Sequence, residues 1–488
     1  MFPAAALPAF ALRLSSADLR KFADRLVGQT LAAPMDPTLR DALQVAKKVF
    51  SENKAFTLVT HSSNGIWAGK AYFGEEDGYL YVALEQGRNY RNVMENPHVF
   101  FVIERGVPDR FIQGEGVAEY LGPIEERPER HIIFRKALEL VLFAKLIPGV
   151  QLFRIRPTRL FISDFTQEWK PRAVVEVTEE VLEYFRTALR SRISRWTLYW
   201  KAIRPFAFPA TLAPVLLGSL IAPVFDWVRC VLTLLGTMLA HAGVNVISDY
   251  MDWRRGADTW RVLGSSRVLV DGMMSPKTHV RLGIALLVAA AAIGVILVTI
   301  SGPAVWLLMA LGAAIGIFYT VPPLGLKYRA LGDLAVFLAF GPLMALGAYY
   351  VQTATLDWLP VWLSIPIGLL TIAILHGNNY RDIAEDRAAG YHTVASLLGP
   401  RGSAYYYVGL LAGAYLSVLL FIGLGWLPLW SLAVLLTLPL AWRNIQVAFN
   451  HARVAFSFLD LLTAQLHLVF SLALVAGILL QRFVPIHW

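Results

Sequence analysis

The chain has 488 residues, 56% of them hydrophobic, and its mean hydropathy of +0.52 lies above what one soluble globular domain of this length carries. A net charge of +9, from 44 Lys and Arg against 35 Asp and Glu, points in so apolar a sequence to anionic lipid and cytoplasmic loops rather than to nucleic acid. The single cysteine, Cys230, excludes an intrachain disulfide or a Cys-based zinc site and reads as a small apolar residue near a helix end.

Hydropathy divides the chain. Residues 1–195 read as water-soluble sequence, whereas long uncharged stretches begin near Pro205 and recur to the C-terminus. Residues 1–40 form an N-terminal extension. Its first 14 residues are apolar but lack a basic leading segment, carry Pro3 and Pro8 and meet their first charge at Arg13, so no cleaved signal is expected. This stretch packs on the soluble domain or lies on a membrane surface.

From Phe56 the pattern becomes β-rich. Strands are expected at 56–60, 71–73, 79–82, 99–103, 111–120, 152–155 and 160–164, with helix over 124–146. Asn64-Gly65 and Asp77-Gly78 sit between strand-like runs, as in tight hairpins, and Asn96-Pro97 closes a short basic helix. Many short antiparallel strands with one or two helices make a small β-barrel. The Asp77-Gly78-Tyr79-Leu80-Tyr81 hairpin, Gly87-Arg88-Asn89-Tyr90-Arg91-Asn92 and Gly114-Glu115-Gly116-Val117-Ala118 resemble the pyridoxamine 5'-phosphate oxidase-like, flavin-binding split barrels over about 41–170. That resemblance implies FMN as cofactor, with Lys70, Arg88 and Arg91 at its phosphate; family members also bind haem, a deazaflavin or nothing. Guanidinium groups flanking a helix start suit a phosphate dianion, but the same three residues also read as solvated bases on a barrel rim.

Residues 174–197, within a linker spanning 171–200, are expected to form one amphipathic helix, with Val174, Val177, Val181, Phe185 and Leu189 at helical spacing among Arg186, Arg190, Arg192 and Arg195. It suits the membrane interface or a simple linker. From 201 to 488 the chain reads as an all-α transmembrane bundle of about nine helices, with apolar segments at 206–224, 229–248, 280–300, 303–320, 331–351, 358–376, 404–424, 428–442 and 463–481. The basic residues of the intervening loops, among them Arg254, Arg255, Lys327, Arg329, Arg381, Arg387 and Arg453, fall on one side. By the positive-inside rule the barrel is then cytoplasmic and the C-terminus outside.

Two of these loops are acidic as well as basic, and each begins at the end of a span. In the first, Asn245, Asp249 and Asp252 stand at i, i+4 and i+7, followed by Asp258; in the second, Asn378, Asp382 and Asp386 stand at i, i+4 and i+8, beside Asn379, Arg381 and Arg387. On a helix each set makes one row of oxygens. Stacked carboxylates near a membrane repel one another and call for a cation or a basic partner. Magnesium takes oxygen ligands, keeps several waters and is commonly shared between carboxylates and a phosphate, so two facing rows suit a diphosphate. Solvated salt bridges at helix ends are the bland alternative.

The segments Arg204-Pro205, Asp249-Tyr250-Met251-Asp252 with Gly256 and Asp258, Tyr319-Thr320-Val321-Pro322-Pro323 with Lys327-Tyr328-Arg329, Gly341-Pro342, and Asn378-Asn379-Tyr380-Arg381-Asp382 with Asp386-Arg387 and Gly390 closely resemble the UbiA-type membrane prenyltransferases. Within that family they are most similar to the branch that prenylates 1,4-dihydroxy-2-naphthoate. Ser248 departs from the family pattern, as does Tyr391-His392. The resemblance implies magnesium held by Asp249, Asp252, Asp382 and Asp386, Lys327 on the departing diphosphate, and substrate contacts from Arg204, Asn245, Asp258, Tyr319, Asn378, Asn379, Arg381 and Arg387. It also implies transfer of a polyprenyl group from its diphosphate to an aromatic acceptor among membrane lipids, with decarboxylation for the naphthoate, in menaquinone biosynthesis. Another phenolic acceptor, or a membrane transporter or regulator with a flavin- or haem-binding domain, are the alternatives.

Overall fold

The computed structural model describes residues 11–13, 37–105, 109–137, 139–166, 172–189, 194–321, 323–451 and 454–485. Most of the N-terminal extension, together with Arg190, Arg192, Pro322 and Arg453, lies outside them. The chain divides into two compact units, Met1–Ile193 and Ser194–Trp488.

In the first unit six antiparallel strands close into a barrel: β2 (Ala55–Ser62), β3 (Gly65–Glu76), β4 (Tyr79–Leu84), β5 (His98–Glu104), β6 (Arg110–Pro123) and β7 (Gln151–Asp164). Their order is β7-β4-β3-β2-β5-β6, and β6 pairs back onto β7. Alternation builds the core, since Phe56, Phe73, Phe101, Leu80 and Phe153 point inward and are buried. Asp77 and Gly78 turn β3 into β4 with φ of 55° and 83°, the left-handed pair a two-residue hairpin demands. Gly114 has a packing reason instead: a Cβ there would sit 2.1 Å from the Phe101 ring. Helix α1 (Pro37–Glu52) contributes Leu43, Val49 and Phe50 to the same core, and α2 (Arg88–Glu95) is the expected short basic helix. The helix expected over 124–146 is two short ones, α3 (Arg130–Phe134) and α4 (Glu139–Leu146).

The single helix expected over 174–197 is not formed. Strand β8 (Arg172–Glu176) pairs with β7, Leu160 opposite Val175, and β1 (Ala11–Arg13) pairs in parallel with β8. Ala173, Val175 and Val177 are buried while Glu176 is exposed; this alternation, with β-branched residues beside an open strand edge, satisfies the backbone through a ladder. Helix α5 (Glu179–Thr187) starts only at the Thr178 cap.

In the second unit, α6 (Arg195–Ala202) leads through a 58° bend to α7 (Pro209–Ile221). Then follow α8 (Trp227–Arg254), α9 (Pro276–Ser301), α10 (Ala304–Thr320) and α11 (Gly332–Leu338), which continues through a π-helical stretch at Pro342 into α12 (Met344–Thr353). After them come α13 (Leu359–Leu363), α14 (Ile365–Arg381), α15 (Ile383–Ala388), α16 (Val394–Gly423), α17 (Leu438–Ala448) and α18 (Leu459–Phe483). All nine apolar segments are helical. Among the described residues six helices are long and apolar enough to cross a bilayer, seven with the bent pair. The segment at 303–320 makes only the 17-residue α10, and that at 358–376 is split at Ser364. Cys230 is buried in the first turn of α8.

Candidate active site

Helix α8 does not stop where its apolar stretch ends. It runs on to Arg254, so Asn245, Asp249 and Asp252 share one face, and all three line a cavity of about 660 Å³. The second row is nearly as regular. Asp382 leaves helical geometry between α14 and α15, yet its N–H still donates to the Asn378 carbonyl (3.2 Å) and its carbonyl accepts from the Asp386 N–H (2.8 Å). Asn378, Asn379, Asp382 and Asp386 therefore face the same cavity.

Each buried carboxylate is held by donors. Asp252 accepts from Lys327 Nζ and from the Tyr328 hydroxyl, both at 2.6 Å. Asp249 accepts from Arg204 (3.3 Å) and from the Ser266 N–H (3.0 Å). Arg381 grips Asp382 with Nε (2.9 Å) and Nη2 (2.7 Å), reaches Asp460 with Nη1 (2.9 Å) and also donates to Asn378. The segment following α8 joins the two motifs: Arg204 donates to the Gly264 carbonyl, and on its other side Gly264 lies so close to Asn378 that a Cβ would sit 2.0 Å from Oδ1. No side chain fits there.

Burial and the carboxylates of Asp252 and Asp249 push Asp258, in that segment, up to about 8. Burial and Asp382 push Asp386 in α15 up to about 7. Burial opposes the charge on Lys327, but Asp252 together with Tyr319, Tyr328 and Asp258 outweighs it and holds this ammonium above the ordinary lysine range. Asp258 and Asp386 thus hold protons near neutrality, and a cation at the polar end would favour their release.

Of the residues expected to contact substrate, Arg204, Asn245, Asp258, Tyr319, Lys327, Asn378 and Asn379 line the cavity with the four aspartates. Arg381 and Arg387 do not. Arg381 is consumed in its buried ion pairs, and Arg387, turned about 100° from Asp386 on the helix, is exposed and donates to the Ser396 carbonyl at 2.6 Å. Sequence reasoning missed Asp460, Glu385, His241 and Tyr391, which also line the cavity. Asp460 was a lone acid at a span's start, and its partner Arg381 is 79 residues away, so no local spacing signalled it. Below the polar end the walls are apolar and small-residue-rich, with Gly236, Ala240, Ala290, Gly294, Gly312 and Gly347 among them.

In the barrel unit, Arg88 opens α2 with its guanidinium 4.9 Å from the Trp67 ring centre, and Arg91, one turn on, is exposed. Lys70 is also exposed, but strand parity puts it on the opposite face of β3 from Trp67. The structure therefore does not gather Lys70 with Arg88.

An apolar cavity whose polar end carries carboxylates and their cationic partners suits an amphiphile with an anionic head. The chain belongs to the UbiA prenyltransferase family, whose model matches residues 211–479. It is 36% identical over 305 residues to mouse UbiA prenyltransferase domain-containing protein 1, covering 61% of this chain and 88% of that one. To the 1,4-dihydroxy-2-naphthoate octaprenyltransferase of Bacillus subtilis it is 29% identical over 291 residues, 59% of this chain and 93% of that one. Among solved structures it is similar to a UbiA homologue from Archaeoglobus fulgidus bound to GPP and Mg2+, at 18% identity and TM-score 0.36, covering 56% of this chain and 86% of that one.

Proposed function

We propose that this chain transfers a polyprenyl group from its diphosphate to 1,4-dihydroxy-2-naphthoate, with loss of the ring carboxylate, in menaquinone biosynthesis. The observation that carries the proposal is the meeting of both acid rows and Lys327 at the polar end of one apolar cavity. The diphosphate sits among Asp249, Asp252, Asp382 and Asp386, and the prenyl chain lies along the small-residue walls.

Among the described residues no three His, Cys, Asp or Glu side chains gather closely enough to hold a metal by themselves. That fits magnesium, which takes one or two carboxylates and completes its shell with phosphate oxygens and water. The two rows would hold it, and when bound it neutralises the diphosphate as a leaving group. Lys327 and Arg204 hold the oxygens on which charge accumulates as the C1–O bond breaks, and the apolar walls keep water from the allylic carbon. Basic loops at the same end as the acids support a site that opens to the cytoplasmic side.

The test supplies purified protein with geranylgeranyl diphosphate, magnesium and either dihydroxynaphthoate or 4-hydroxybenzoate, and reads the lipid product by mass spectrometry. A prenylated, decarboxylated naphthol is expected; product from 4-hydroxybenzoate alone would transfer the proposal to another phenolic acceptor. Chelation is expected to lower turnover by at least about a hundredfold. Because Asp386 and Asp258 bind protons near neutrality in the metal-free site, the magnesium needed for half-maximal rate should rise as pH falls from about 8 to about 6. A requirement flat in pH would count against Asp386 as a ligand and against Asp258 as a neighbour of the bound ion.

For the barrel we propose FMN, held at Arg88 and Arg91, acting on the redox state of the quinol product. The full chain, purified without added cofactor, should show flavin absorbance and fluorescence that Arg88→Ala removes. A colourless preparation that takes up no FMN on titration would overturn it.

A further inference from the structure

One group in the cavity has no part in the handling of the diphosphate. His241 lies on α8 one turn before Asn245 and two turns before Asp249, about 6 Å further into the apolar depth with each turn. It is 8% exposed, and among the described residues it is the only histidine of the cavity wall. Its ring is fixed from two sides: Nδ1 is 2.7 Å from the Thr211 hydroxyl on α7, and the Phe340 ring meets it edge to face at 4.6 Å. With Nδ1 engaged, Nε2 is the nitrogen left for a ligand, since the hydrogen bond at one ring nitrogen sets what the other does.

Two more polar atoms nearby call for a ligand. Asn245 Nδ2 and Arg204 Nε are buried without a hydrogen-bond partner, although both side chains line the same cavity. Buried donors are nearly always satisfied, so orphans beside a cavity mark groups that a bound molecule completes. A prenyl chain has no polar atoms to offer them. A flat ring carrying hydroxyl and carboxylate oxygens offers an acceptor to each N–H, a hydroxyl to the imidazole and an apolar face to Phe340.

We propose that His241 and Asn245 form the seat of the aromatic acceptor, with His241 Nε2 hydrogen-bonded to a ring hydroxyl, and that this contact selects hydroxylated rings. The inference rests on the reaction proposed above and names where its second substrate sits. Thr211 is a positioning residue that fixes the imidazole.

The test uses the full chain in detergent. Acceptor binding is read as the rise in melting temperature produced by dihydroxynaphthoate, which needs no turnover, and geranylgeranyl diphosphate with magnesium serves as the control ligand. His241→Phe is expected to abolish the acceptor's stabilisation while keeping that of the diphosphate, and to raise the KM for acceptor by about tenfold or more with the KM for diphosphate unchanged. His241→Gln should restore part of the acceptor affinity, and Thr211→Val should weaken acceptor binding alone. Acceptor stabilisation and KM unchanged in these variants, or equal losses for both ligands, would overturn the seat. If His241→Phe fails to fold, His241→Gln and Thr211→Val decide by the same criteria. A wild-type protein that binds both ligands yet makes no product would fail the proposed reaction while leaving the acceptor-binding result readable.

Discussion

Asp252→Asn is expected to lower prenyl transfer by about 10²–10³-fold in a protein that still folds. Asp252 is buried and takes Lys327 and Tyr328 on its two oxygens at 2.6 Å each. Asparagine keeps the shape of the side chain and one acceptor oxygen but removes the charge that opposes Lys327 and attracts a cation. The local charge balance is lost at the point where the diphosphate is proposed to sit. Asp252→Ala should do more damage, because it strips the buried ammonium of its partner altogether and adds instability to the catalytic defect. Initial rates at saturating magnesium, with melting temperature in detergent, separate the two effects. A rate within about threefold of wild type for Asp252→Asn would remove this carboxylate from the mechanism.

The largest effect on stability is expected at Arg381. Its guanidinium is 4% exposed and sits between Asp382, 4% exposed, and Asp460, 16% exposed. Arg381→Ala leaves two buried carboxylates facing one another, a defect of about 3–5 kcal/mol. Arg381→Lys keeps the charge but not the planar fork that serves Asp382, Asp460 and Asn378 at once, so its loss should be intermediate. Adding Asp460→Asn to Arg381→Ala should recover part of the stability, the sign of coupling expected when an unpaired charge is the cause. Denaturant unfolding in detergent checks the series. Unchanged unfolding in Arg381→Ala would mean that water, not Arg381, compensates the carboxylates.

These two sites also show how far local pattern reaches. The i, i+4, i+7 row on α8 was legible because apolar periodicity runs straight into Asn245, Asp249 and Asp252, and a helix once started has no reason to stop before Arg254. The second row was legible for the same reason, despite the break at Asp382. Arg381 and Arg387 carried the right charge for a phosphate, but whether a cation faces a ligand or a neighbouring carboxylate depends on what packs beside it. Asp460 in one case, and the Ser396 carbonyl in the other, decided that. The helix expected over 174–197 failed on the same ground: its spacing satisfied a 3.6-residue period, yet β7 offered an open edge and the chain paired with it.

The sequence by itself determined the division into a β-barrel unit and a helical membrane unit, the tight turn at Asp77-Gly78, and both acid rows, because each depends on residues within one or two turns or strands of one another. Only the tertiary structure decided that the two rows share a single cavity, that Gly264 lies between them, and that His241 and Asp460 belong to its wall. Those relations join residues tens to more than a hundred positions apart, and they are set by which helices pack together, a choice that no local periodicity encodes.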